Sequence, residues 1–448
     1  MRRCLALLFS FAGTLFCAGF EAGVARVKIT PETSIWMSGY AARTHPSEGV
    51  LHDLWAKALA IKDAKGNRVV IVTTDVIGIP RPLAELIAGR LQKGYGLDRA
   101  SLVLNSSHTH SGPVLRANLE QMYNLDSGQM ERVRQYSARF VDAVVNAAGA
   151  ALGKLEPVDL AYSEGRAEFA INRREPTANG YKIGVNPGGP QDLSVPVLRI
   201  TGKDRKLRAV LFGYGCHNTT LGANIYQISG DYAGFAQIEF ERAHPGATAM
   251  FLMLCGGDQN PNPRGTVEHA ERYGKALAGE AARVAGGEMK SLRGPLRTAF
   301  QIVEPRFAPH TRETFESRLN DANATRAKTA RAMLNAYDEG RPVRRIPYPV
   351  QAIRFGKDLT LVTLGGEVVV DYALRTKREF GAAKEPVIVA GYSNDVMCYI
   401  PSLRVLKEGG YEADESMIYY GQPGPFDENI EEVIFGGVRS VMKRVGRK

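Results

Sequence analysis

Asn105-Ser106-Ser107-His108-Thr109-His110-Ser111-Gly112-Pro113 follows directly on the β-forming run Ser101-Leu102-Val103-Leu104. Gly112-Pro113 stops whatever regular structure precedes it. Two of the chain's eight histidines stand here, one residue apart. On an extended backbone side chains alternate between faces, so His108 and His110 are expected on the same side. One imidazole can then hold a metal while the other reaches the same cavity. Taken alone, the pair reads more simply as two histidines of a surface loop. The other strand ends of the chain change that balance.

Upstream, residues 24–30 and 55–62 alternate like strands, and residues 69–74 run into Asp75. The turn at residues 63–67 makes the last two a hairpin. Pro82 opens a helix with Leu83, Leu86, Ile87 and Leu91 on one face, closed by Gly94. Asp126 or Ser127 caps a long helix carrying Val133, Tyr136, Phe140, Val144 and Ala148. Downstream the layout recurs. Residues 207–211 lead into Gly215-Cys216-His217-Asn218, and the apolar run at 250–254 leads into Gly256-Gly257-Asp258. Residues 359–364 lead into Gly365-Gly366-Glu367, and 387–390 into Gly391-Tyr392-Ser393-Asn394. Helical spacing fills the intervals at 267–284, 312–337 and 368–380. The expectation is an α/β protein, with mixed sheets flanked by helices in a single large catalytic domain over residues 23–448. Asp75, His108, His217, Asp258, Glu367 and Asn394 each follow a strand, where ligands of such sheets bind.

The 448 residues are 44% hydrophobic and 23% charged, with a net charge of +10. This is an ordinary globular composition, without a low-complexity tract or linker. The basic residues are scattered, as in residues 325–331, so no nucleic-acid partner is expected. A weak pull towards anionic membranes or substrates remains, compatible with transient membrane-surface contact. Arg2-Arg3, the apolar residues 5–9 and the small residues before Ala18 and Ala22 read as a signal peptide over residues 1–22. A periplasmic or secreted protein is expected. Cys216, Cys255 and Cys398 then remain, an odd set better read as buried thiols than as a disulfide framework.

Two histidines and a carboxylate from separate strand ends make a plausible zinc set with an open position for water. The spacing carries no HExxH and no CxxC. The ordered motifs carry more. Gly23-Val24-Ala25-Arg26-Val27-Lys28-Ile29-Thr30-Pro31, Thr74-Asp75 and Ser107-His108-Thr109-His110-Ser111-Gly112-Pro113 come first. Gly257-Asp258 with Pro261-Asn262, then Gly366-Glu367 and Gly391-Tyr392-Ser393-Asn394, follow. Together they resemble the catalytic domain of the neutral/alkaline non-lysosomal ceramidases, from about residue 24 to the end. That resemblance implies zinc held by His108, His217, Glu367 and Tyr399. It implies a proton-handling role for His110, and Tyr411 and Arg173 at the reacting carbonyl. It also implies cleavage of N-acylsphingosine by zinc-activated water; as a departure from the family, its C-terminal immunoglobulin-like domain is expected to be missing after Lys448.

One departure stands out. The family's Gly-Asp-x-Ser-Pro-Asn is Gly257-Asp258-Gln259-Asn260-Pro261-Asn262 here, so Asn260 replaces the serine. An amide is no nucleophile, though it can donate to an oxyanion. Three readings follow: a ceramidase, an exported zinc amidase or esterase with another substrate, or a zinc-retaining binding protein without catalysis. Asp258 is expected to hold a turn or a ligand. His52 receives no role, and His45, His244, His269 and His310 are read as surface residues.

Overall fold

A computed structural model describes residues 19–447. Most of the segment read as an export signal lies outside the described residues. Eight strands form the path of the large sheet: β1 (Phe20–Lys28), β2 (Trp55–Lys62), β3 (Arg68–Thr74), β4 (Leu102–Ser106), β5 (Glu156–Arg166), β6 (Ser194–Gly202), β7 (Leu207–Tyr214) and β8 (Thr248–Met253). Their order is β8-β7-β6-β5-β1-β2-β3-β4. Both edges are parallel pairs, β3 with β4 and β7 with β8, while the middle is antiparallel. A second sheet holds β9 (Leu296–Val303), β10 (Tyr348–Phe355), β11 (Leu359–Leu364) and β12 (Val387–Ala390) in that order, with β11 and β12 parallel.

Period-two alternation builds the layers. Val69 and Ile71 face the second sheet, packing in one cluster with Leu361 and Ile388. Val70 and Val72 face the opposite way, into a cluster with Leu83 and Ile87 of α1 (Arg81–Tyr95) and Phe140 and Val144 of α2 (Ser127–Leu152). The outer face of the second sheet (Val350, Ala352) takes Ile434 and Val438 of the helix Ile430–Arg444. The result is helix, sheet, sheet, helix. Each fully buried aliphatic side chain in these layers contributes about 1.5–3 kcal/mol. The mixed sheets flanked by helices are as expected.

Local details differ where polar residues compete with the helix. The long helix expected over residues 312–337 is two pieces, Arg312–Glu316 and Ala324–Asp338. The Asn323 side chain accepts from the amides of Thr325 and Arg326 and starts the second piece afresh. Asp126 caps α2 as read, accepting from Gln129. Cys216, Cys255 and Cys398 are free and buried. Among the described residues no helix is long and apolar enough to cross a membrane.

Asn105, at the end of β4, stitches the two sheets at their functional end. Its amide donates to the Met253 and Gly391 carbonyls (3.1 and 2.9 Å) and accepts from Met253 N (2.9 Å). The carboxyl ends of β4, β7, β8, β11 and β12 thereby meet in one place.

Candidate metal centre

The turn after β4 sets His108. Its φ of 63° lies in the left-handed region, unusual for a residue with a side chain. The turn is held by His108 N to Val76 O (3.0 Å), the Asn218 amide to Ser107 O (2.5 Å) and Thr109 Oγ1 to Ser229 O (2.7 Å). The two imidazoles do come together, with Nε2 atoms 3.1 Å apart. The cause is this turn and not strand alternation, because β4 has already ended at Ser106.

His217 follows β7, its amide bonded to Gln259 O at 2.9 Å. Glu367 was expected at a helix start. It lies instead in a two-residue strand, Glu367–Val368, paired in parallel with Tyr399–Ile400, while the helix begins at Val370. Glu367 and Tyr399 are thus direct partners on one ladder. Glu367 Oε2 stands 2.9 Å from His108 Nε2 and 3.1 Å from His217 Nε2, and Tyr399 Oη is 3.1 Å from His217 Nε2.

The second nitrogen of each ring decides what these contacts are. His108 Nδ1 meets Ile77 O at 2.7 Å, and His217 Nδ1 meets Gly256 O at 2.6 Å. A carbonyl only accepts, so both Nδ1 atoms carry the proton. A neutral ring then presents a bare Nε2 lone pair. Burial, with Arg173 nearby, pushes His217 down to about 3, so it is neutral near pH 7. Burial alone would raise Glu367, but the His108 and His217 rings hold it well below the usual carboxylate range. That stabilisation needs positive charge between the Nε2 lone pairs and Oε2, supplied by a shared proton or, in its place, by a metal cation. The donor separations of 2.9–3.1 Å approach the roughly 3.3 Å edge of a tetrahedron with zinc-like bonds of about 2.0–2.1 Å. The residues present fit a divalent metal.

His110 differs from the other two rings. Its Nδ1 is buried without a partner, pressed against Gly39, where a Cβ would meet it at 2.4 Å. Among the described residues its one ring hydrogen-bonding contact is Nε2 to His108 Nε2 at 3.1 Å, and no carbonyl fixes its tautomer from Nδ1. Burial and the neighbouring His108 and His217 hold it well below its ordinary value, so it is neutral near pH 7. Its backbone carbonyl is fixed by Arg43 Nη1 at 2.7 Å, and Tyr40 packs on its ring at 4.9 Å. His108, His110 and His217 together form a cluster whose ring nitrogens lie within 4.8 Å of one another, a set that could hold a metal ion.

The remaining expected residues gather on one side. Arg173 donates through Nη2 to Tyr399 Oη (2.9 Å), through Nη1 to Asn260 Oδ1 (3.3 Å) and through Nε to Glu412 Oε1 (2.7 Å). Tyr411 packs edge-on to Tyr399 at 5.4 Å, with the Arg173 guanidinium 5.6 Å from its ring. Asp258 serves as support: its carboxylate accepts from Val370 N (2.8 Å) and the Asn172 amide (3.0 Å). Two strand-end residues are not in the cluster. Asp75 accepts from Trp55 N and Gln237, and Asn394 ties β4 to Gln351 and Thr363. His52 meets Ser229 Oγ at 2.9 Å. Sequence reasoning missed Tyr420, which donates to Glu367 Oε1, and Glu412. Glu412 directly follows Tyr411, the one signal that could have found it.

Gly257 lets two strand ends close on each other. Its amide donates to Val368 O at 2.8 Å, and a Cβ there would lie 2.7 Å from Glu367 O. Gly257→Ala is expected to push Glu367 outward and weaken metal affinity by about 10–100-fold, the usual effect of disturbing what orients a ligand. Competition with a chromophoric chelator measures it. Unchanged affinity would show that the ladder yields without moving the carboxylate.

Fold and site define an α/β protein with a buried imidazole–carboxylate–phenol centre able to take a divalent metal. Residues 20–301, more than half of the chain, match the family described as neutral/alkaline non-lysosomal ceramidase, N-terminal, and the chain belongs to that family. His108, His110, Arg173, His217 and Asn260 fall inside the matched stretch. Glu367, Tyr399 and Tyr411 fall beyond it. The neutral ceramidase of Pseudomonas aeruginosa is 25% identical over 325 residues, 67% of this chain and 47% of that protein. Neutral ceramidase A of Dictyostelium discoideum is 25% identical over 268 residues, 55% of this chain and 37% of that protein. This chain thus spans less than half the length of either relative. The crystal structure of the Pseudomonas aeruginosa enzyme shares the fold, with a TM-score of 0.73 at 20% identity over 95% of this chain and 75% of that one.

Proposed function

We propose that this protein is a zinc-dependent hydrolase of linear amides, with N-acylsphingosines as its substrate class. The observation that carries the reading is the pair of locked tautomers. His108 and His217 are fixed with Nε2 towards Glu367 and Tyr399, beside a third ring, His110, that is not locked. His108, His217, Glu367 and Tyr399 would hold the zinc. When bound, the ion polarises a carbonyl and lowers the pKa of water to about 7.

The other roles belong to the chain. His110 accepts the proton of the attacking water. A bond forms between that oxygen and the acyl carbon, the C–N bond breaks, and His110 returns the proton to the departing amine. Tyr411, Arg173 and Asn260 surround the place of the reacting carbonyl. The names of the relatives, neutral ceramidases, favour ceramide over other amides. An ester would need no change of ligands and is the second enzymatic reading.

Export to the periplasm or medium is part of the proposal. Phe20 and Ala22 are buried strand residues, which favours cleavage near Ala18 over cleavage after Ala22.

The purified protein is expected to contain roughly one zinc per chain. Chelation is expected to abolish release of fatty acid from a fluorescent N-acylsphingosine, and added zinc to restore it. A panel of ceramides, N-acyl amino acids and esters separates the readings. Zinc without turnover of any panel member would instead make it a binding protein. Absence of zinc would overturn both.

A further inference from the structure

We propose that the side-chain amide of Asn260 is the hydrogen-bond donor to the oxyanion formed during amide cleavage, and that Arg173 and Thr219 act as the clamp that turns this amide towards it. The inference rests on the hydrolase reading above and adds the group that stabilises the developing charge.

The backbone of Asn260 is tied on both sides. The short strand Gln259–Pro261 pairs with Ala170–Thr177, placing Asn260 opposite Ile171. The carbonyl just before it, that of Gln259, accepts the amide of the ligand His217 at 2.9 Å. Asn260 is therefore fixed in register with the metal centre.

Its side chain is oriented by chemistry. Oδ1 accepts from Arg173 Nη1 at 3.3 Å and from Thr219 Oγ1 at 3.4 Å. A guanidinium only donates, so the amide oxygen must face Arg173 and the NH2 must face away. Among the described residues Nδ2 meets no acceptor, although Asn260 is only 4% exposed. A donor left open in a nearly closed, preorganised site is what oxyanion stabilisation requires. All three nitrogens of Arg173 have protein partners, Glu412, Asn260 and Tyr399. Its position is that of a group acting through Asn260, with no nitrogen left wholly free for substrate.

Asn260→Asp keeps the acceptor for Arg173 and Thr219, removes the donor and adds a negative charge. Asn260→Ala removes the donor without adding charge. Both are expected to lower kcat on a short-chain N-acylsphingosine by about 10²–10³-fold, with KM and zinc content little changed. Thr219→Val is expected to lower kcat several-fold in the native protein and not at all on top of Asn260→Ala, because its effect passes through that amide. Native kcat in either Asn260 variant, or an equal Thr219→Val loss in both backgrounds, overturns the proposal. A second readout does not depend on turnover. Hexylphosphonate, a tetrahedral oxyanion, should bind the zinc-loaded native protein about 100-fold tighter than the zinc-loaded Asn260→Ala variant by calorimetry. Equal affinities overturn the donor role. A native protein that hydrolyses no substrate yet shows this difference would overturn the hydrolase reading and the catalytic role with it, leaving Asn260 as a donor to a bound anion.

Discussion

His110→Ala is expected to lower turnover by about 10²–10⁴-fold while the protein keeps its metal. The ring sits beside the four donors, with Nε2 3.1 Å from His108 Nε2; Tyr40 packs on the ring and Arg43 fixes the residue's backbone carbonyl. Truncation to a methyl group removes the proposed proton acceptor and leaves His108, His217, Glu367 and Tyr399 where they are. His217→Ala should behave differently, because it removes a donor whose tautomer is fixed by Gly256. Metal should be lost together with activity. Metal analysis and steady-state kinetics on both variants make the comparison. Loss of metal from His110→Ala would mean that His110 is itself a ligand and that the three-histidine cluster is the metal site.

Glu412→Ala is expected to destabilise the protein by about 3–5 kcal/mol, the range for removing one partner of a buried ion pair. Its carboxylate is shared by two guanidiniums, Arg173 Nε at 2.7 Å and Arg174 Nη1 at 2.6 Å. The side chains are 2%, 5% and 1% exposed, so the residual charges would have little water. Arg174 would retain Glu408 at 3.1 Å, and Arg173 would retain Tyr399 and Asn260. Burial alone would raise Glu412, but Arg173 and Arg174 outweigh it and hold the folded value below 4.5. In the native protein this contribution is therefore complete above about pH 4.5 and is lost as the pH falls through the lowered folded value. Urea unfolding of variant and parent at pH 7 measures the difference. A change under about 1 kcal/mol would mean that Glu408 or water takes over both guanidiniums.

Strand ends were legible because a buried strand has a local signature. The run Met250-Phe251-Leu252-Met253-Leu254 announces itself, and so does the glycine-rich approach to Asp258. His108, His217 and Glu367 could be picked out as polar residues after such runs. That they meet was not legible, because it depends on the stacking of two sheets and on Asn105 joining their ends. The HxH spacing suggested the right neighbours for the wrong reason. Alternation on a strand predicts two rings on the same side, whereas here the strand has ended at Ser106 and the left-handed turn at His108 brings the rings together. Tyr420 and Glu412 had no pattern of their own. A hydroxyl or carboxylate that supports another side chain needs only to arrive, and arrival is a property of the packed chain. Glu367 was misplaced by one kind of element because only two residues separate it from the first helical residue, Val370, and its partner strand, Tyr399–Ile400, is only two residues long.

The pairing of Glu367 with Tyr399 turns the sheet into a caliper. Two oxygen donors rise from neighbouring strands whose backbones sit about 4.8 Å apart, and neither is on a loop that can swing. Spreading them would break ladder hydrogen bonds in a buried place. Calcium, which takes about six to eight oxygens at about 2.3–2.6 Å from adaptable loops, finds no such adaptability here. With the proposed ligand set, discrimination between ions would be built into strand pairing, and the two imidazoles would complete a choice that the backbone has already begun to make.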